Sequence, residues 1–304
     1  MRFDFFEYLK FLINYLPKSD QKKGMLCAFS AILFITPDSL FIRLANLESW
    51  NLIFYRGFIP FLVVFVGLLI VYKTKFISQL IENGWHGIAY ASVFTITNIF
   101  FVISIENTNV ANTLIMIALA PMLSAVISFI FLKENTDQKT WVAIIITTLA
   151  VIYIFNDSFE RGDVLGNFLG LICASGLAVG AVIIRSAKKI NLVPSAMMGK
   201  LMVTLIALLF ADNLVLKGND TIIIPLMCIM CVAIPFVLIT LAPRYLSAAE
   251  VNLFFLLETI LGPIWVWLVI KEQPSNETII GGIVIIATIA THSVLSLKKT
   301  SLLK

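Results

Sequence analysis

Apolar residues in this chain neither alternate nor follow a single helical stripe. They run on for about twenty residues at a time, on every face. A helix needs about 20 apolar residues to cross a hydrocarbon core of ~30 Å. Ten such runs are present: 24–45, 50–72, 84–105, 109–132, 139–156, 164–186, 194–211, 221–241, 247–270 and 276–297. Short polar connections separate them, such as Lys133-Glu134-Asn135-Thr136-Asp137-Gln138-Lys139. A transmembrane β-barrel would alternate apolar and polar positions over about ten residues, and these runs do not. The pattern predicts an all-α integral membrane protein with ten transmembrane helices.

Residues 1–23 follow another pattern. Phe5, Leu9, Leu12 and Leu16 recur at helical spacing, with Asp4, Glu7 and Lys10 between them. No basic start, unbroken apolar run and small-residue cleavage site mark a signal peptide. The segment reads as an amphipathic cytoplasmic leader on the membrane surface, followed by Lys18, Lys22 and Lys23. A solvated leader is the alternative. Residues 298–304 read as a short cytoplasmic tail.

Composition agrees with the pattern. Of 304 residues, 60% are hydrophobic and 13% charged, and mean hydropathy is +0.97. A soluble domain is about half apolar and a quarter charged. A cytosolic enzyme, a disulfide-stapled secreted domain and a disordered scaffold are therefore excluded. Cys27, Cys173, Cys228 and Cys231 all lie in apolar runs, and Cys228-Ile229-Met230-Cys231 has no second pair or histidine cluster beside it. The net charge of +4 matters less than its placement. If the N-terminus is cytoplasmic, sixteen of the 22 Lys and Arg fall on cytoplasmic segments. Only Arg161, Lys217 and Lys271 face the other side, while Arg43, Arg56 and Lys200 sit inside spans. The excess of cations on one side sets orientation, so both termini are expected in the cytoplasm.

The apolar pattern also repeats. Pro121 precedes Glu134 by thirteen residues, in PMLSAVISFIFLKE, and Thr259 precedes Glu272 by thirteen, in TILGPIWVWLVIKE. Each run ends a span in Lys-Glu, and the two lie 138 residues apart. Arg56 and Lys200 are offset by 144, Arg43 and Arg185 by 142. Two halves of five spans follow. Five is odd, so the second half enters from the opposite side. Inverted repeats with a site near the midplane are a transporter architecture.

Asp38 and Arg43 in the first span, Trp50–Gly57 (WNLIFYRG), Pro121–Glu134 and Glu258–Glu272 together resemble the EamA-type transporters of the drug/metabolite transporter (DMT) superfamily. The resemblance covers residues 24–297. It implies two inverted five-helix repeats, at 24–156 and 164–297, that move small organic metabolites across a bacterial inner membrane. Where that family's second repeat often reads Leu-Glu-Pro, this chain has Leu257-Glu258-Thr259, with Pro263 four residues later. The expected kink moves about one turn onward.

Ionisable residues inside spans are costly and are the first functional candidates. Glu258 lies about 16 Å deep in a ~30 Å core. Its repeat counterpart is Ala120, so symmetry does not account for the charge. It reads as a substrate-amine or proton site, as one partner of a structural ion pair, or as a carboxyl kept protonated by burial. Asp38 and Arg56 both lie about 9 Å below the outer surface, where adjacent antiparallel spans bring them together as a structural ion pair, an outer gate or a carboxylate clamp. Lys200, about 9 Å from the cytoplasmic side, either snorkels or faces the cavity and answers Glu258. Arg43 is expected to snorkel, and His86 and His292 are expected at the interface. Asn98, Asn112 and Thr113 can hydrogen-bond a solute or bridge helices. Trp265 and Trp267 fit an aromatic belt. Gly166/Gly170 and Gly176/Gly180 have the spacing of close helix packing.

No nucleophile elbow, zinc-protease motif or phosphate-binding glycine loop occurs in the sequence. No catalytic residue, metal or cofactor is expected. The expected function is secondary active transport, by alternating access, of an amino-acid-like or otherwise charged or zwitterionic solute. Export is the commoner direction that the resemblance implies, and a proton is the candidate coupling ion. Glu258, Asp38, Arg56, Lys200 and Asn98 are the expected substrate-binding residues. The expected partners are the solute and the lipid bilayer, with the protein a monomer or homodimer. An intramembrane enzyme, such as a lipid-modifying transferase, and a passive solute channel are the alternatives.

Overall fold

The computed structural model describes residues 20–73, 75–133, 138–187, 190–241 and 248–302. The leader reading falls on residues that lie largely outside that set, as does the repeat landmark Glu134. The described residues form helices and no strand. In the first half these are α1 (Asp20–Ile35), α2 (Asp38–Leu44), α3 (Ser49–Tyr72), α4 (Lys75–Glu82), α5 (Gly84–Asn107), α6 (Val110–Ile117), α7 (Ala120–Leu132) and α8 (Gln138–Arg161). The second half holds α9 (Val164–Ser186), α10 (Val193–Leu208), α11 (Asp220–Met227), a π turn (Cys228–Ala233), α12 (Ile234–Leu241), α13 (Ala248–Ile270) and α14 (Asn276–Leu302).

Among the described residues, six stretches are long and apolar enough to cross a membrane: Gly24–Leu44, Ser49–Tyr72, Gly84–Asn107, Val110–Leu132, Val164–Ser186 and Asp220–Thr240. The apolar helices at Trp141–Asp157, Val193–Leu208, Leu257–Ile270 and Asn276–Thr291 are shorter. They stand where the other four runs were expected.

Three of these stretches are not continuous α-helices, and each irregularity has a local cause. Pro37 has no N–H, so the Leu33 carbonyl one turn earlier loses its donor. The Thr36 hydroxyl replaces it at 3.1 Å, and α1 stops before α2 begins at Asp38. Pro121 has the same effect on Ile117, and Ala118–Leu119 separate α6 from α7. Between Pro225 and Pro235 the helix widens into the π turn, a feature frequent at functional sites. By contrast α13 runs unbroken through Glu258 and Pro263. The kink expected near Pro263 therefore does not interrupt the helix.

The packing repeats when the halves are exchanged. α5 lies on α9 and α10, while the π turn lies on α1 and α3. α6 and α7 lie on α9, just as α13 lies on α1 and α2. Three contacts map onto themselves: α3 with α10, α8 with α14, and α13 with α6 and α7. Glycine permits close approach between these helices. A Cβ on Gly166 would sit 2.6 Å from the carbonyl of Asn107, so the spacing does mark close packing.

Hydrogen bonds between turns show which turns share an end. Asn46 N donates to Asp220 Oδ1 at 3.3 Å, Thr108 Oγ1 to Asn167 Oδ1 at 3.0 Å, and Ser275 Oγ to Asp157 Oδ2 at 2.8 Å. We call this the laced end. At the far end Asn83 Nδ2 donates to Asn191 O and Ser195 Oγ, and Asn191 Nδ2 to Gln79 Oε1.

Candidate functional site

Two of the intramembrane charges close on each other. Asp38 opens α2 and Arg56 lies on the second turn of α3, across a short turn. The guanidinium grips the carboxylate with both nitrogens, Nη1 to Oδ1 at 2.5 Å and Nη2 to Oδ2 at 2.7 Å. Such a fork on a carboxylate fixes direction as well as distance. Both residues are buried. Arg56 also lies 5.7 Å from the centre of the Phe101 ring and 3.6 Å from Met227 Sδ, at the edge of the π turn. Cys228, the first residue of that turn, points its thiol to the Tyr55 carbonyl at 3.4 Å.

Lys200 is 1% exposed and does not snorkel. Its α10 backbone is held against α3 because Gly57 has no side chain: a Cβ there would lie 2.8 Å from Thr204 N and 3.0 Å from Lys200 O. The ammonium donates to Asn98 Oδ1 at 2.5 Å and lies 5.2 Å from the centre of the Phe94 ring. Asn98 in turn donates through Nδ2 to the Phe94 carbonyl at 2.7 Å. No Lys200–Glu258 ion pair exists among the described residues.

Glu258 is the eleventh residue of the 23-residue α13. That helix packs on all four pieces of the first and fourth spans, α1, α2, α6 and α7. Glu258 is 7% exposed, and none of the described residues hydrogen-bonds it. The charges of Asp38 and Arg56 act on it, and the same two charges act on Lys200. Glu258 and Lys200 both feel the closed Asp38–Arg56 pair and form no ion pair with each other. Ser39, beside Asp38, has a buried hydroxyl with no hydrogen-bond partner.

The remaining sequence candidates bridge elements. Asn112 donates to Thr108 Oγ1 at 3.0 Å and accepts from Thr278 Oγ1 at 2.6 Å, and Thr113 shares a 2.8 Å hydrogen bond with Ser104. Trp265 Nε1 reaches Thr36 Oγ1 at 3.4 Å, while Trp267 is exposed beside Lys271. His86 is exposed at the far end. The side chain of His292 lies outside the described residues.

Arg43 departs from expectation. It does not snorkel but pairs through Nε with Glu272 Oε2 at 3.1 Å and donates from Nη2 to the Thr108 carbonyl at 2.7 Å. Glu272 Oε1 also accepts from Val110 N at 2.8 Å. Sequence reasoning had Glu272 only as a repeat landmark. The acid placed identically at the end of each apolar run was the available signal.

The match to known proteins follows this geometry. The EamA-like transporter family matches residues 22–156 and again 162–294. The chain belongs to the EamA-like transporter family. Two consecutive copies account for the exchange symmetry of the packing, and the second begins at the α8–α9 turn. Sixteen solved chains are similar to this one. One crystal structure of a protein aligns with 90% of this chain and 98% of its own length, at 16% identity and a TM-score of 0.64, a likeness of fold. No curated protein matches the chain. A membrane transporter family and six membrane-capable stretches make this a multi-pass membrane protein of transporter type.

Proposed function

We propose that this EamA-family protein is a secondary active transporter of a small charged or zwitterionic organic solute, amino-acid-like in its poles. It works by alternating access through ten spans arranged as two inverted repeats. Glu258 is the observation that carries the reading. A carboxyl in the middle of a membrane helix, buried and without a hydrogen-bond partner among the described residues, leaves a strong acceptor unused. Such groups in spans belong to substrate and ion pathways, and interrupted helices commonly frame them.

In this reading Glu258 receives the solute amine or a proton. Lys200, positioned by Asn98, receives a carboxylate. Asp38 and Arg56 hold the two poles apart and exchange partners as the solute arrives. Ten spans put both termini on one side, and the cation excess assigns that side to the cytoplasm of a cell with an inner membrane. The laced end then faces out, and export is the working direction.

Counterflow in proteoliposomes tests the reading. Vesicles loaded with an unlabelled amino acid should accumulate the labelled solute, and Glu258→Gln should abolish that exchange while the protein still purifies as a folded species. Exchange by the Gln variant at the wild-type rate would overturn the role of Glu258. Solute flux without counterflow would overturn the carrier reading in favour of a channel.

A further inference from the structure

The ion pair between Arg43 and Glu272 joins three chain segments and both halves. Arg43 ends the first span, Thr108 and Val110 flank the α5–α6 turn, and Glu272 lies in the turn between α13 and α14. One carboxylate pairs in charge with Arg43 Nε through Oε2 and accepts from the Val110 amide through Oε1. One guanidinium serves both that carboxylate and the Thr108 carbonyl. The two side chains are 25% and 19% exposed, so the pair sits where water can enter the laced end. Partly exposed ion pairs contribute little to standing stability and part readily. That suits a contact which must open and close.

Arg43 shares the seven-residue α2 with Asp38. The Thr36–Pro37 interruption separates α2 from α1, so α2 is a short rigid rod with a hinge at its inner end. Five residues at about 1.5 Å each place the two charges ~7.5 Å apart along that rod. One end of the rod is held by Arg56, the other by Glu272. A shift of Asp38 on Arg56 therefore moves Arg43 against Glu272 directly, with no intervening loop to absorb it.

We infer that Arg43, Glu272 and the backbone of Thr108 and Val110 form a clasp that closes the laced end of the bundle, and that α2 transmits the state of the Asp38–Arg56 pair to it. The inference rests on the alternating-access reading above. It adds a gate, and a mechanical link from gate to site, that the site residues alone do not supply.

The experiment reads the opening itself and needs no transport. Leu114 is 1% exposed and lies one turn inward of Val110. Leu114→Cys in a chain whose four cysteines are replaced, reconstituted in liposomes, is challenged with a membrane-impermeant maleimide. With the clasp intact, labelling should be slow. Arg43→Ala and Glu272→Ala should each speed it several-fold, while Lys271→Ala, which removes the neighbouring cation beside Trp267, should leave it unchanged. In the other direction, Arg43→Cys with Glu272→Cys, joined by a short bifunctional maleimide before backbone hydrogen exchange is read over Val110–Ile117, should suppress opening below the wild-type level. Thermal melting of each variant guards against misfolding. Equal labelling of the wild type and Glu272→Ala would overturn the clasp, as would opening by Lys271→Ala to the same extent. Faster labelling of the clasp variants in a protein that exchanges no solute would sustain the clasp and count against the transport reading alone.

Discussion

Lys200 directs its ammonium to the amide oxygen of Asn98, 2.5 Å away, and to no carboxylate among the described residues. A buried ammonium with a neutral partner has its hydrogen bond but not its counter-charge. Burying a charge is costly unless an opposite charge accompanies it. A solute carboxylate supplies that charge. Lys200→Gln should therefore weaken binding of a carboxylate-bearing solute, and leave binding of the corresponding amide nearly unchanged. A charge-assisted hydrogen bond is worth about 1.5–3 kcal/mol, which corresponds to roughly a ten- to hundredfold loss of affinity. Isothermal calorimetry on the purified protein, with the acid and the amide compared, measures it. Equal losses for both compounds would remove the carboxylate role.

Asp38 and Arg56 call for a different comparison. Removing one member of a buried pair leaves an uncompensated charge, at a cost of about 3–5 kcal/mol. Removing both leaves none. Asp38→Asn and Arg56→Met should each lower the melting temperature clearly, and the double variant Asp38→Leu/Arg56→Met should melt above either single. All three should lose solute exchange. A double variant less stable than both singles would mean that the pair is held for its stability rather than for its chemistry.

The chain announced some of this arrangement and concealed the rest. An ionisable residue within twenty apolar ones stands out because lipid offers it no water, so Asp38, Arg56, Lys200 and Glu258 were legible one by one. The Asp38–Arg56 contact was legible too, since a short turn joins their spans and equal depth aligns them. Lys200 with Asn98 was not, because α10 and α5 lie about a hundred residues apart in sequence and long-range approaches such as those at Gly87 and Gly199 set their register. Arg43 looked like a snorkelling cation because its acceptor comes from a turn in the other half. Pro37 and Pro121 interrupt their helices for one reason, the N–H each lacks. The π turn at Cys228–Ala233 left no trace beyond the flanking prolines, since widening by one residue per turn preserves an apolar pattern that is apolar on every face.

Ser104 makes a smaller prediction at the laced end. Its hydroxyl donates to the Gly166 carbonyl at 2.7 Å and shares a hydrogen bond with Thr113, so it ties α5, α6 and α9 together. Ser104→Ala leaves a buried carbonyl and a hydroxyl short of a partner, and the cost for such groups is about 1–3 kcal/mol. The variant should melt lower while its affinity for solute stays within about twofold. A changed affinity with unchanged melting would place Ser104 in the binding site instead.

Gly57 and Gly67 lie on the same helix, ten residues apart, and give opposite predictions for the same change. A Cβ on Gly67 meets nothing within 4 Å, so Gly67→Ala gains helix propensity of up to about 1 kcal/mol without a clash. A Cβ on Gly57 would lie 2.6 Å from Thr204 Oγ1, 2.8 Å from Thr204 N and 3.0 Å from Lys200 O. The hydroxyl can turn away. The two backbone atoms cannot, so α10 must move off α3, and overpacking of this kind costs about 1–3 kcal/mol. Because the displaced backbone belongs to Lys200, the movement also draws its ammonium from Asn98. Gly57→Ala should thus lower both the melting temperature and the affinity for a carboxylate solute, whereas Gly67→Ala should raise or preserve melting and leave affinity alone. Detergent-solubilised melting curves with and without solute separate the two effects. If Gly57→Ala bound solute as the wild type does, the close approach of α3 and α10 would serve packing only, and Lys200 would be placed by other contacts.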